Sequence, residues 1–442
     1  MNMKIKPYLI FVLIIWVHLI RAEDHWTLKQ CLQAAYQANH LLKAADFQKK
    51  QSIMQLKASQ AQRLPVVSLS SGYTRVGRLS TIEFSTGPGE PPRKLTFGTP
   101  NRMNLALQLQ MPLFTWWRID HAIQISQLSL QLNDLEKEKQ KIAVTAQVLQ
   151  AYYGALLAKK MLNLTEQNVQ RTQKYLKITQ KRFAAGQLPK FQLLRAQVQM
   201  QNDQSRLQTV QADYQKSLAY LAKVTGVEGK PIEPQGELQF TPLPYDEEEY
   251  LTRALTNRQE LKQLDQQKII LQTQQKIVAA GNKPNLALVS NFSVLNGFNP
   301  MEPEKFYTNY NIGLQLSWPI FDSFNSHYQA KAVYYNNLAL KEQKKEIEAN
   351  IKLQIRQALI SLEQAAQKIA SQKANIELAQ QALDLAQKQY DQGVVSSLDL
   401  IEAQKTLLQT EMGYWQAVFS HILNKIELAK AMADFSIFED QL

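Results

Sequence analysis

The chain repeats itself. Asn104-Leu-Ala-Leu-Gln-Leu-Gln-Met-Pro112-Leu-Phe114 aligns with Asn311-Ile-Gly-Leu-Gln-Leu-Ser-Trp-Pro319-Ile-Phe321 at an offset of 207 residues. The register holds downstream: Arg182-Phe183-Ala-Ala-Gly186 falls on Gln389-Tyr390-Asp-Gln-Gly393, and Leu221-Ala-Lys223 on Leu428-Ala-Lys430. Upstream, Leu42-Lys43 and Pro65 match Leu261-Lys262 and Pro284 at an offset of 219, so the first copy carries 12 extra residues between its matched prolines. Self-similarity on this scale means that what one half folds into, the other folds into as well. The expected organisation is a first repeat over residues 23–235, a linker at 236–247, a second repeat at 248–435 and a tail at 436–442.

Each half reads in one order. A helix is expected over Leu28 to Arg63, and again over Glu248 to Ala280, from apolar residues at helical spacing with no internal proline. The period then drops to two. Val67, Leu69, Ser71 and Tyr73 alternate with Ser68, Ser70 and Gly72, and Leu105, Leu107, Leu109 and Met111 alternate with Ala106, Gln108 and Gln110. The second half has Leu286, Leu288, Ser290, Phe292 and Val294 in one strand and Ile312, Leu314, Leu316 and Trp318 in the other. Each pair reads as a hairpin with a loose loop, punctuated by Gly87 to Pro92 and by Asn296 to Pro300.

A very long helix follows each hairpin, over His121 to Ala185 and Asn325 to Gln392, long enough at 1.5 Å per residue to extend about 100 Å. In the second, Ile351, Ile355, Ala358, Leu362, Ala365, Ile369, Ile376, Ala379, Leu383, Ala386 and Tyr390 form a coiled-coil seam that Gln372 alone interrupts. Turns at Gly186 and Gly393 lead into final helices, Lys190 to Val224 and Ser396 to Ala433. The fold class is mainly α with a four-stranded antiparallel β contribution. Only 15 Gly and 16 Pro among 442 residues leave a β-sandwich or a loop-rich enzyme barrel without its punctuation.

Residues 1–22 read as a secretory signal peptide, with Lys4 and Lys6 ahead of an apolar run from Tyr8 to Ile20; a retained anchor is the alternative, because Ile20 and Arg21 make an imperfect cleavage site. Without Lys4, Lys6 and Arg21 the net charge falls from +12 to +9. The basic residues are scattered among Gln and Glu along helices, which reads as a solvated surface rather than a nucleic-acid face. One cysteine, Cys31, excludes disulfide frameworks, zinc ribbons and iron–sulfur clusters. No run of 18 apolar residues follows the signal, so strands must make any membrane crossing.

Four amphipathic strands form an open sheet, whose edge groups would be unsatisfied in hydrocarbon. The chain is therefore expected to associate with copies of itself: two give eight strands and a filled barrel, three give twelve and room for a lumen. Trp116, Trp117, Trp318, Phe321 and Phe324 gather at one end of the strands, and Phe306, Tyr307 and Tyr310 near the other, as membrane-interface belts would; packing at a soluble strand–helix junction is the competing reading.

With its duplicated order of helix, hairpin, long helix and short helix, and Pro112-Leu-Phe114 and Pro319-Ile-Phe321-Asp322 at the strand-to-helix transitions, the chain resembles the TolC-type outer-membrane efflux proteins over essentially all of its expected mature length. The resemblance implies a homotrimer with a 12-stranded transmembrane barrel in the outer-membrane lipid of a Gram-negative cell, continued by an α-helical tunnel into the periplasm. It implies an exit duct of a tripartite pump or a type I secretion system, docked to a periplasmic adaptor and, through it, to an inner-membrane pump, with no cofactor and no nucleic acid. It also places a periplasmic aperture at Tyr390, Asp399, Glu402 and Gln192, and adaptor-docking tips at Ala184, Ala185, Gly186, Gly393, Ser396 and Ser397. Three of these have a plainer structural role open to them. Tyr390 continues the seam, and Asp399 and Glu402 belong to an acidic first turn behind a serine N-cap. Two positions depart from the family's pattern, with Val395 where a basic residue is usual and Gln192 where an acidic one is, so the ionic latch of that pattern is not expected in its usual form.

An enzyme finds no support: no His-Glu-x-x-His, no phosphate loop after a strand and no nucleophile elbow occur. A periplasmic coiled-coil adaptor or a structural envelope protein is the alternative to a duct; an adaptor would have one helical hairpin rather than a duplicated pair and a β-rich domain that this chain lacks, and a structural protein leaves the four alternating strands unexplained.

Overall fold

A computed structural model describes residues 25–85, 87–227, 229, 232–299 and 301–441. The expected signal peptide, residues 1–22, lies outside them. In chain order the elements are β1 (His25–Trp26), α1 (Leu28–Ala38), α2 (His40–Ala61), β2 (Val66–Arg75), β3 (Ser80–Phe84), β4 (Arg93–Phe97), β5 (Asn101–Phe114), α3 (Arg118–Ala184), α4 (Lys190–Thr225), β6 (Glu233–Pro234), α5 (Glu247–Asn257), α6 (Gln259–Ala279), β7 (Asn285–Leu295), β8 (Tyr307–Ser317), α7 (Asn325–Asp391), α8 (Ser397–Met432) and a 3-10 turn, Ser436–Gln441. The chain divides into two compact units, each drawing on both halves of the sequence. One holds the residues through His40 with Lys141–Ala254 and Leu353 onward; the other holds Leu41–Gln140 and Leu255–Lys352.

The helices expected over Leu28–Arg63 and Glu248–Ala280 are each two helices. The breaks fall at Asn39 (φ −60°, ψ 124°) and Arg258 (φ −58°, ψ 123°), where an extended ψ stops the hydrogen-bond ladder. The two positions are 219 residues apart, the offset of the flanking sequence. Neither contains proline or glycine, the breakers that sequence reading relies on. At its other end α1 is closed by a capping box: the Thr27 hydroxyl accepts from the Gln30 amide (3.3 Å), and the Gln30 side chain accepts from the Thr27 amide (2.9 Å).

In the unit built from Leu41–Gln140 and Leu255–Lys352, four strands pair antiparallel in the order β2-β5-β7-β8. The register aligns Leu69 with Leu107, Leu107 with Phe292, and Phe292 with Tyr310, so the apolar positions of all four strands share one face. Ser70, Gln108, Asn291 and Asn311 stand on the opposite face. The apolar face is bare in the protomer: Leu69 is 68% exposed, Ile312 71% and Leu316 68%. The expected loose loop between β2 and β5 is instead a two-stranded ribbon, β3 with β4, whose tip carries Gly87 to Pro92. Its short strands lacked a long alternating pattern to reveal them.

At both strand-to-helix junctions two consecutive residues adopt left-handed backbone, Trp116 and Trp117 (φ 52° and 58°) and Ser323 and Phe324 (φ 55° and 61°). Such geometry costs a non-glycine residue roughly 1–2 kcal/mol. The same corner occurs twice, and each first turn is then closed, by the His121 amide on the Trp117 carbonyl (2.8 Å) and by the Tyr328 amide on the Phe324 carbonyl (3.0 Å).

In the other unit, side chains of α7 are buried at steps of three and four, Ile355, Leu362, Ile369, Ala379, Leu383 and Tyr390 among them. Gln372, the polar interruption, reaches toward Gly413 of α8, where an added Cβ would lie 3.3 Å from its Oε1. Cys31 is fully buried, and desolvation pushes its thiol up to about 12, so it is chemically inert.

Two expectations follow for stability. The α4 C-cap, Gly226, has φ 72°, and a Cβ there would sit 2.4 Å from that of Ala38; the α8 C-cap, Ala433, takes the same left-handed backbone at φ 54°. Gly226→Ala should lower, and Ala433→Gly should raise, the chemical-denaturation midpoint, the first by about 1–3 kcal/mol equivalent and the second by about 1. His421 is 2% exposed and stacks edge-on against Phe240 at 4.8 Å. Burial, with Lys425 adding to it, lowers the imidazole to about 4. His421 lines two cavities, one shared with Glu237 and the other with Glu363. Since the unfolded chain takes up this proton near pH 6.5 and the folded one near 4, stability is full above 6.5 and falls as the pH drops through that window. Melting temperatures of His421→Gln against the parent should show a shallower acid loss in the variant.

Candidate functional site at the helical tips

The two tips are closed by the same backbone device. After α3, Gly186 (φ 72°) donates to the Phe183 carbonyl (2.9 Å) and Gln187 to the Arg182 carbonyl (2.9 Å). After α7, Gly393 (φ 78°) donates to the Tyr390 carbonyl (3.1 Å) and Val394 to the Gln389 carbonyl (2.9 Å). Both are Schellman closures, which need a residue able to hold positive φ and so explain the glycine in each turn.

The starts of the following helices differ. Ser396 caps α8: its hydroxyl accepts from the Asp399 amide (3.4 Å), while the Asp399 carboxylate accepts from the Ser396 amide (2.9 Å) and hydroxyl (2.7 Å). Those bonds, led by the Ser396 hydroxyl, hold the Asp399 carboxyl below its ordinary value. The N-cap of α4 is Pro189, which provides no side-chain cap. Gln192 is half-buried there, its amide on the Pro189 carbonyl at 3.0 Å. Glu402 is exposed, with Lys405 at 3.7 Å.

Tyr390 is 3% exposed and packs inside its own protomer, against Tyr175 of α3 with ring centroids 5.7 Å apart, in a cluster with Ala379, Leu383, Ala196 and Leu400. Thr179 lies beside Tyr390, but its hydroxyl donates to the Tyr175 carbonyl (3.0 Å), and neither phenol finds a hydrogen-bond partner among the described residues. Desolvation accordingly raises the Tyr390 phenol.

Arg182 is the residue that sequence reading passed over. Its guanidinium lies 5.0 Å from the Tyr390 ring centroid and donates to the carbonyls of Tyr390 and Asp391, each at 3.2 Å. The Asp391 carboxylate is 4.0 Å away. A cation from α3 thus caps the negative end of α7, stacks on its last aromatic ring and ties together the two tips of one chain. Its only trace in the sequence is an asymmetry between the copies: both tips have a lysine, Lys181 and Lys388, but the next residue is Arg182 in the first and Gln389 in the second, and nothing there names the acceptors.

Of the other tip positions, Ala184, Ala185, Gly186, Gly393 and Ser396 are exposed, whereas Ser397 is buried at 4%. Apolar side chains that the sequence reading did not single out stand exposed around them: Phe191 (71%), Val394 (70%) and Leu398 (44%).

In the sheet unit, the aromatics gather at the strand ends. Phe114, Trp116 and Trp117 form a three-ring cluster with centroids 5.2–6.4 Å apart. The Trp116 and Trp318 indoles donate to the carbonyls of Pro284 (2.7 Å) and Asn282 (3.2 Å) and leave much of each ring exposed, as an amphipathic ring at a lipid–water boundary does. At the opposite strand ends Phe306 is 53% exposed, and the Tyr307 hydroxyl donates to Glu302 (2.7 Å). Among the described residues no helix is long and apolar enough to cross a membrane, and no group of three or more His, Cys, Asp or Glu is placed to hold a metal.

A bare apolar sheet face, aromatics at the strand ends and long helices ending in paired tips are the features expected of an outer-membrane channel protomer. The family model described as outer membrane efflux protein matches residues 31–227 and 250–433, and the chain belongs to that family. It is a transport channel of the Gram-negative outer membrane extending into the periplasm, and not an enzyme. Nodulation protein T of Rhizobium leguminosarum bv. trifolii is 22% identical over 375 residues, 81% of this chain and 75% of that one. Outer membrane protein TolC of Escherichia coli (strain K12) is 20% identical over 418 residues, 92% and 82% of the two chains. A solved structure of CusC superposes with a TM-score of 0.74 at 17% identity, covering 92% of each chain.

The Arg182 clasp has a direct test. Hydrogen exchange at the amides of residues 388–394 should accelerate about tenfold in Arg182→Ala, the equivalent of losing about 1.4 kcal/mol of charge-assisted bonding, and less in Arg182→Lys. Tyr390→Phe should leave that exchange unchanged.

Proposed function

We propose that three copies of the chain assemble, their four-stranded sheets closing a 12-stranded barrel and their long helices forming the wall of a periplasmic tunnel, and that the assembly is the passive exit duct of a tripartite efflux pump or a type I secretion system. The sheet carries this reading. One face is apolar and bare, the other polar, and β2 and β8 each leave an edge unpaired. In hydrocarbon such edges must pair, and three sheets are the smallest set that closes with a lumen. A duplicated architecture is part of the proposal, supported by the equal lengths of α3 and α7, 67 residues each, and of α4 and α8, 36 each, all offset by 207.

The tips are the periplasmic aperture and the docking surface for an adaptor, which links the duct to an inner-membrane pump. Three copies of Asp399 and Glu402 ring the passage and attract cations. Closure rests on Tyr390 packing and the Arg182 clasp, with Gln192 nearby, in place of an ionic latch at Val395. The exposed Phe191, Val394 and Leu398, beside Ala184, Ala185, Gly186, Gly393 and Ser396, supply an apolar surface for adaptor hairpins.

The purified protein should migrate as a heat-resistant trimer in detergent and form channels in planar bilayers; a soluble monomer would overturn the proposal. Asp399→Asn with Glu402→Gln should weaken block by multivalent cations at least several-fold. Because the Asp399 carboxyl is held low, its share of the block should persist as the pH falls to about 4, the ordinary carboxylate value, and fade only below it.

A further inference from the structure

The β3–β4 ribbon is the part of the sheet unit for which the duct reading has no use. Its register puts Ile82 opposite Leu95, Phe84 opposite Arg93 and Ser80 opposite Phe97 on one face, and Glu83 opposite Lys94 on the other. The second face neutralises itself, Lys94 pairing with Glu83 at 2.7 Å. The first stays apolar and bare, with Ile82 56%, Phe84 45% and Phe97 36% exposed. Three cations flank it, Arg75, Arg78 and Arg93, all exposed and none with an ion pair or hydrogen bond among the described residues.

Charge separates this loop from its counterpart. From Arg75 to Arg102 there are five basic residues and two acidic ones, a net charge of +3. The β7–β8 loop has Glu302, Glu304 and Lys305, and its acids are already engaged: Glu302 by Tyr307 (2.7 Å) and Lys305 (3.0 Å), Glu304 by Thr99 (2.5 Å). Glu90 in the ribbon and Glu304, whose partner Thr99 is neutral, are outnumbered by the five basic residues, so the ribbon keeps a net positive charge.

We propose that the ribbon lies on the outer leaflet and holds a lipid whose phosphate headgroup carries net negative charge, with Arg78 and Arg93 on its phosphates and Ile82, Phe84 and Phe97 at the boundary of its acyl chains. The proposal rests on the barrel reading, which puts the strand ends remote from the helix junctions at the outer surface. A guanidinium matches a phosphate in geometry and charge, and an apolar face flanked by cations gains both from acyl chains and from anionic headgroups. Packing of three ribbons on one another would instead bring together three patches of like charge.

The test uses the full-length protein with Ile82→Cys carrying an environment-sensitive dye; Cys31 is buried and stays unlabelled. The labelled protein is compared in detergent and in nanodiscs containing lipid A, dephosphorylated lipid A or phosphatidylcholine alone. Emission should shift to the blue only with phosphorylated lipid A, and Arg78→Gln with Arg93→Gln should abolish that shift. Equal emission in all three discs, or a shift that survives the arginine changes, would overturn the proposal. A blue shift already present in lipid-free detergent trimers would mean that the ribbon packs on a neighbouring copy, and would overturn it too. Planar-bilayer conductance of the same sample separates the two readings: conducting channels with a lipid-indifferent dye defeat the ribbon proposal alone, whereas no channels defeat the barrel and the ribbon with it.

Discussion

A sheet with a bare apolar face and two open edges cannot be the end state of a chain in water or in lipid. Each unpaired backbone group at an edge costs several kcal/mol in hydrocarbon, and the exposed Leu69, Ile312, Leu314 and Leu316 would drive association in water. Membership in the outer membrane efflux protein family gives that face its solvent, the outer membrane. In the proposed barrel the polar face of Ser70, Gln108, Asn291 and Asn311 would line the passage, and the indoles of Trp116 and Trp318, hydrogen-bonded at one end and bare at the other, suit the boundary where lipid gives way to water.

Much of this fold was legible in the sequence because its two periods are long and clean. Long helices expected over His121–Ala185 and Asn325–Gln392 were found at Arg118–Ala184 and Asn325–Asp391, and the strands agree to within a few residues except β8, which begins five residues earlier than the pattern that announced it. What escaped has local physical causes. The helix breaks at Asn39 and Arg258 use residues that tolerate helix and extended backbone alike, so no breaker announces them. The β3–β4 ribbon has strands of five residues, too short for alternation to stand out from a polar loop.

The tips show a sharper limit. Ser396 and Asp399 could be read as an N-cap and its partner because both sit three residues apart in one chain segment, and the capping box is there. The clasp could not be read, since Arg182 and Tyr390 are 208 residues apart and the acceptors are main-chain atoms that carry no residue identity. Tyr390 had two roles open to it, seam or gate. The structure buries it within its own protomer, where its ring serves as the platform for a guanidinium, and the role of its hydroxyl in an assembled aperture belongs to the proposal.

That the guanidinium is held by carbonyls gives the clasp an uneven genetics. Any residue at 390 or 391 still presents the same two oxygens, so drift on that side leaves the hydrogen bonds in place and erodes the packing of the ring and the distant carboxylate. On the donor side, by contrast, a single codon decides everything. Alleles that break the hydrogen bonds alone should therefore keep returning to one helix of the pair, while those on the other act through its packing.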